Sequence, residues 1–87
     1  MEYKITHDAV RNRFEIEQDN LVAYVEYRVE KGGIFDILHT VVPKSLEGRG
    51  IAAALVSRAY EHAYHQGLHL KATCSYAEAW LRRHPDF

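Results

Sequence analysis

Cysteine is almost absent. Cys74 stands alone in 87 residues, so no disulfide can form within the chain. Small secreted domains usually rely on several such bridges, and the expected compartment is therefore the reducing cytoplasm. Charge of one sign is also missing. Eleven Lys and Arg against twelve Asp and Glu leave a formal net charge of −1. Without a long basic run, nucleic acid is not expected as a partner. The longest apolar runs are far too short to span a bilayer, and the first seven residues lack the basic-then-apolar pattern of a leader. No membrane partner is expected. Repeats, low-complexity stretches and linkers are lacking too, which predicts one domain over residues 1–87. The histidines offer no metal site. His62 and His65 are one helical turn apart, but no cysteine or carboxylate joins them at a recognised spacing.

What is present fits an ordinary globular fold. The chain is 47% hydrophobic and 26% charged, values that disfavour disorder. Residues 13–18 alternate, with Phe14 and Ile16 on one face. Residues 21–29 alternate too, with Ala23, Val25 and Tyr27 sharing a face. Strict alternation predicts half-buried strands. Asp19-Asn20 between them is a two-residue hairpin signal, because both tolerate positive φ. A third strand is expected over residues 34–42. It is apolar on both faces at its centre (Phe35, Ile37, Leu38, Val41), as in a strand covered on both sides. Pro43 stops it.

The period then changes. Ile51, Leu55, Ala59 and Ala63 recur every four residues, which predicts an amphipathic helix over residues 49–66. Gly67 stands at its C-cap. Residues 68–73 form a candidate fourth strand. Ser75 and Glu78 resemble a capping box opening a short helix to Arg83, ended by His84-Pro85. The expected fold class is α+β: an antiparallel meander, then a β-α-β crossover, then a short helix. In such sheets ligands gather beyond the carboxyl ends of the parallel strands. Here that place lies between Thr40-Val41-Val42, the loop at residues 46–52, and Thr73-Cys74-Ser75.

That loop carries Glu47-Gly48-Arg49-Gly50-Ile51-Ala52. Two glycines before a helix let backbone amides converge on a bulky anion. The helix start adds unpaired N–H groups and partial positive charge, and Arg49 adds a full one. Diphosphate suits this chemistry. A bare G-x-G is equally what a plain turn uses, so its place between strand and helix is what favours the anion.

His39-Thr40-Val41-Val42-Pro43 followed by Leu46-Glu47-Gly48-Arg49-Gly50-Ile51-Ala52 resembles the acetyl-CoA signature of the GNAT acetyltransferase superfamily. The family motif is Gln/Arg-x-x-Gly-x-Gly/Ala. Gly50 and Ala52 match it, and Glu47 departs at its first position. The chain is similar to the minimal N-acetyltransferase-domain proteins of about this length. In those, a His-Thr pair ends the central strand and a Cys ends the last one. The resemblance implies acetyl-CoA as co-substrate, held by Glu47 to Ala52 and by Ser75. It also implies a pantetheine arm pairing like an added strand with Thr40, Val41 and Val42. An acetyl acceptor, an amine or another nucleophile, is implied but not named. Two features of larger members are missing. No helices separate the first strands, and Cys74 and Leu81 stand where an Asn and an acid Tyr are usual.

Two residues are candidate catalysts. Cys74 ends a strand and precedes a helix, whose N-terminus favours thiolate. Such a thiolate can take acetyl from CoA and pass it on. Its plain alternative is a small buried hydrophobe. His39 can serve as base toward an amine or toward Cys74; one residue of strand register decides which way it faces. The competing expectation is a CoA-binding module without efficient turnover.

Overall fold

The computed structural model describes residues 3–87. In chain order its elements are β1 (Thr6–Asp8), β2 (Arg13–Gln18), β3 (Leu21–Glu30), β4 (Ile34–Val41), α1 (Ile51–His65), β5 (His69–Ala72) and α2 (Ser75–Arg83). A 3-10 turn, Lys44–Leu46, follows Pro43. The strands form one mixed sheet in the order β1-β2-β3-β4-β5. Neighbours are antiparallel up to β4, and β4 pairs with β5 in parallel through the α1 crossover. This is the α+β architecture expected from the sequence.

Local chemistry explains most of these elements. Asp19 and Asn20 adopt φ of 55° and 62°, the two positive values of a type I′ turn, which matches the twist of the strands it joins. Phe14 and Ile16 of β2, Val25 and Tyr27 of β3, and Phe35 and Ile37 of β4 are buried. Alternation puts them on one face, where Leu55, Val56, Ala59 and Tyr60 of α1 cover them. Each fully buried side chain of that size contributes roughly 1.5–3 kcal/mol. α2 lies beside α1. Its Trp80 packs against Tyr60, ring centroids 5.7 Å apart, and its stem is tied to β5 through the buried core. The other face of the sheet is polar. Arg13 lies 3.9 Å over the Tyr24 ring and 3.6 Å from Glu26.

The structure corrects four expectations. β1 was not expected; it is an edge strand of three residues pairing with β2. The apolar character of β4 on both faces has a different cause from a second covering layer. Glu26 pairs with His39 and Tyr27 with Ile37, so Leu38 is an extra residue in β4, a β-bulge. The bulge reverses the alternation, so that Phe35 and Ile37 face α1 while Val41 is 40% exposed. Helix α1 starts at Ile51, two residues later than the periodicity suggests, because Gly50 takes a left-handed conformation. Ser75 is the first residue of α2, not its cap. Cys74 is the N-cap and offers the helix no side-chain hydrogen bond.

Candidate active site

The residues beyond β4 build the site by leaving groups unpaired. Pro43 starts the 3-10 turn, whose buried Leu46 anchors the loop. Gly48 and Gly50 then adopt φ of 80° and 77°, values that other residues reach only with strain. The first intrahelical bond of α1 runs from the Ala54 N–H to the Gly50 carbonyl, 3.0 Å. Gly50 has no side chain to cap the helix, and the first turn holds no acid. Among the described residues, no carbonyl or side chain accepts from the N–H groups of Ile51, Ala52 or Ala53. Such donors need a partner. They border a cavity of about 120 Å³ lined by Val42, the loop from Leu46 to Gly50 except Arg49, the first three residues of α1, and Tyr76. A Cβ added at Gly48 or Gly50 would meet no atom within 4 Å. The space there is open, and donors face it.

Arg49 points elsewhere. Its guanidinium Nη1 stands 3.1 Å from Asp19 Oδ2 in the β2–β3 turn. Its carbonyl accepts a 2.6 Å bond from the Tyr3 hydroxyl. The charge expected beside the anion is thus paired on the outer side of the loop.

A second opening lies between β4 and β5. Their pairing covers only Ile34 to Ile37 against His69 to Ala72. The last stitches are the N–H groups of Thr73 and Cys74, both donating to the Ile37 carbonyl at 3.1 and 3.0 Å. Beyond them β4 continues to Val41 while the chain turns into α2. In an antiparallel strand every second residue directs its backbone groups away from its partner. Past the bulge, β4 therefore offers unpaired amide groups toward this gap.

Cys74 sits at the head of the gap, partly buried. Its thiol donates to Thr40 Oγ1 at 3.4 Å, and so Thr40 is the β4 side chain that reaches it. Alternation turns His39 to the opposite face, where it is exposed opposite Glu26. Asp36 fixes the segment before Cys74. Fully buried, it accepts from the Thr73 N–H at 2.8 Å and the Thr73 hydroxyl at 2.7 Å. Tyr60 braces β5 from below, its hydroxyl donating to the Lys71 carbonyl at 2.7 Å. Burial, with the Asp36 and Cys74 charges adding to it, pushes the Tyr60 phenol far above its ordinary range. It stays a donor.

The cavity thus gathers six of the residues singled out from the sequence: Val42, Glu47, Gly48, Gly50, Ile51 and Ala52. Thr40 and Cys74 meet in the adjoining gap, with Val41 on the same strand. Arg49, Ser75 and His39 do not line the cavity, and His39 faces away from Thr40. Ala53, Tyr76 and Asp36 were missed. Ala53 follows from the rule that the first four N–H groups of a helix, counted here from Gly50, have no intrahelical partner. Asp36 carries no local signal, since its partner is 37 positions away. Among the described residues no helix is long and apolar enough to cross a membrane, and no group of His, Cys, Asp and Glu is placed to hold a metal.

Comparison with known proteins fits this geometry. A model of the GCN5-related N-acetyl-transferase family matches residues 13–87. The protein NATD1 of Mus musculus is 30% identical over 86 residues, covering 94% of this chain and 76% of that protein. NATD1 of Xenopus tropicalis is likewise 30% identical, over 94% and 77% of the two chains. The solution NMR structure of a GCN5-like protein from Staphylococcus aureus superposes with a TM-score of 0.76 at 30% identity, covering 97% of this chain and 82% of that one. With the family model spanning most of the sequence and the fold in agreement, the chain belongs to the GCN5-related N-acetyltransferase family.

Proposed function

We propose that this protein binds acetyl-CoA and transfers its acetyl group to an amine or another nucleophile. The observation that carries the proposal is the open end of α1. Three unpaired N–H groups and two left-handed glycines border a cavity of diphosphate size, the arrangement that favours a bound phosphate. Tyr76 and Val42 close its sides. Glu47 also borders it, with its carboxylate exposed to solvent. From there the pantetheine amides follow the unpaired edge of β4 at Thr40 and Val41, which brings the thioester to Cys74.

The transfer is proposed in two steps. The Cys74 sulfur, as thiolate, attacks the thioester carbonyl; the bond to the CoA sulfur breaks, and CoA leaves as thiolate and takes a proton. An acceptor nitrogen then attacks the Cys74 thioester, the cysteine leaves as thiolate, and the nitrogen gives up a proton. His39 lies on the other face of β4 from Thr40, turned away from the Cys74 thioester, so the acceptor's proton is left to solvent and not to this imidazole. A second reading, a CoA-binding module without efficient turnover, is favoured by one fact: among the described residues the bonded partner of Cys74 is a hydroxyl and not a base.

Intact-protein mass spectrometry after incubation with acetyl-CoA, alongside calorimetry with CoA, tests both. The expected result is CoA binding, with one acetyl group on wild type and none on Cys74→Ser. Binding without an adduct, and without CoA release in an acceptor screen, would leave only the module. Absence of binding would overturn the assignment of the loop.

A further inference from the structure

The loop that holds the free amides is braced from outside by two segments that contribute nothing to the cavity. Both act on Arg49, which sits between the two left-handed glycines. Tyr3, 46 positions earlier, donates its hydroxyl to the Arg49 carbonyl at 2.6 Å. Asp19, 30 positions earlier, holds the Arg49 guanidinium at 3.1 Å. Each brace is itself anchored. Asp19 is the first residue of the type I′ turn, with its φ fixed by the hairpin. Tyr3 leads into β1, where His7 stacks on Phe14 at 4.1 Å and bonds the Tyr27 hydroxyl at 2.6 Å.

We propose that Tyr3 and Asp19 are positioning residues for the diphosphate loop, acting through Arg49 to hold its amides toward the cavity before the ligand arrives. The proposal rests on the assignment of that loop to CoA. The physical need is plain. Two glycines flanking one residue give this loop a large entropy to lose, because glycine loses the most freedom when it is ordered. A loop ordered in advance spares the ligand that loss on binding. One brace takes a backbone group and the other a side chain, so their effects can be separated by substitution.

Calorimetry with CoA at 25 °C, on variants confirmed to be folded, is the test. Tyr3→Phe should weaken CoA about three- to tenfold, the span of one lost hydrogen bond. Asp19→Asn should weaken it less, at most about fivefold, since its ion pair is exposed; Asp19→Glu should restore affinity. In an Arg49→Ala background Asp19→Asn should have no further effect, while Tyr3→Phe should keep its full effect, because its acceptor is backbone. A purely structural role would lower melting temperature and leave the affinity of the folded protein unchanged, which would overturn the proposal. Tighter CoA binding by Asp19→Asn would overturn it too, by showing Arg49 released to the phosphates. If wild type binds CoA and neither variant differs from it, the braces are idle and the loop assignment stands. If wild type does not bind CoA, both fall together.

Discussion

The two ends of α1 are built from the same residue and finished differently. At the C-terminal end Gly67 takes φ of 74°, and the chain closes the helix itself. The Leu68 N–H reaches the Ala63 carbonyl at 3.0 Å and the Gly67 N–H reaches Tyr64 at 3.1 Å. This is a Schellman closure, which leaves the last carbonyls satisfied. At the N-terminal end Gly50 takes φ of 77° and, among the described residues, no side chain caps the helix. Cavity size alone would point to the other end. A groove of about 450 Å³ lies near the closed end, against about 120 Å³ at the open one. The larger groove is bordered by side chains, among them Leu68, His69, Leu81 and His84, and the smaller one also by the free N–H groups of α1. Unsatisfied backbone, not volume, is what favours the open end as the proposed anion site.

Matched substitutions at the two glycines should break the symmetry most sharply. Gly50→Glu and Gly67→Glu impose similar backbone strain, about 1–2 kcal/mol of stability each, and in neither case does an added Cβ meet a neighbour. Gly50→Glu should reduce CoA affinity on the order of a hundredfold, by placing negative charge where phosphate sits. Gly67→Glu should leave it unchanged by calorimetry. Equal losses at both positions would mean that strain, not the anion site, governs binding.

The next largest effect belongs to Asp36, which ties the gap beside the open end. Asp36→Ala leaves the Thr73 hydroxyl without its acceptor and the Thr73 N–H with only the Ile37 carbonyl, and should lower unfolding free energy by about 1–3 kcal/mol in urea titrations. Because Cys74 follows Thr73 directly, acetyl loading of Cys74 should fall by more than CoA affinity does.

A smaller effect is expected near the closed end. Burial against its neighbours lowers the pKa of His7 below its ordinary 6.5, the His62 charge adds to this and Asp8 opposes it. Arg58, Glu61 and His65 border the same groove, and the pKa of the Tyr27 phenol is raised by burial and by the Asp8 charge. The folded state thus binds the His7 proton less readily than the unfolded chain. Its contribution is complete above pH 6.5 and declines as pH falls below it. The His7 ring keeps one side open to solvent, which limits the size of the change. Amide exchange across Thr6–Asp8 should quicken modestly, relative to buried Ile16, between pH 7 and 5. His7→Gln should remove that trend. The smallest expected change is a gain. Glu47→Gln removes a carboxylate from the edge of the anion site and should tighten CoA by a few tenths of a kcal/mol to about 1 kcal/mol, with the gain shrinking at high salt.

Which parts of this were legible in the sequence follows from distance along the chain. β2, β3 and their turn were readable because alternation and Asp19-Asn20 act within a few residues. So was α1, whose four-residue spacing and Gly67 are local signals. β1 was not, because three residues show no period. The bulge at Leu38 was hidden by the apolar run around it, which reads the same whether or not the strand changes phase. At the site, the glycines, Cys74 and Thr40 stood out as types at expected places. The direction of Arg49 did not, since Tyr3 and Asp19 are 46 and 30 positions away. The orientation of His39 depended on the same unseen bulge.

The claim that the open end of α1 holds the diphosphate of CoA is tested most directly by a titration of the ¹⁵N-labelled protein with CoA, followed through its amide resonances. The account predicts that the largest shifts fall on Gly48, Gly50, Ile51, Ala52 and Ala53, with Gly67 and Leu68 unmoved. Shifts centred on Leu68, Leu70 and Leu81 would contradict it, as would a saturating titration that leaves the amides of residues 51–53 where they began.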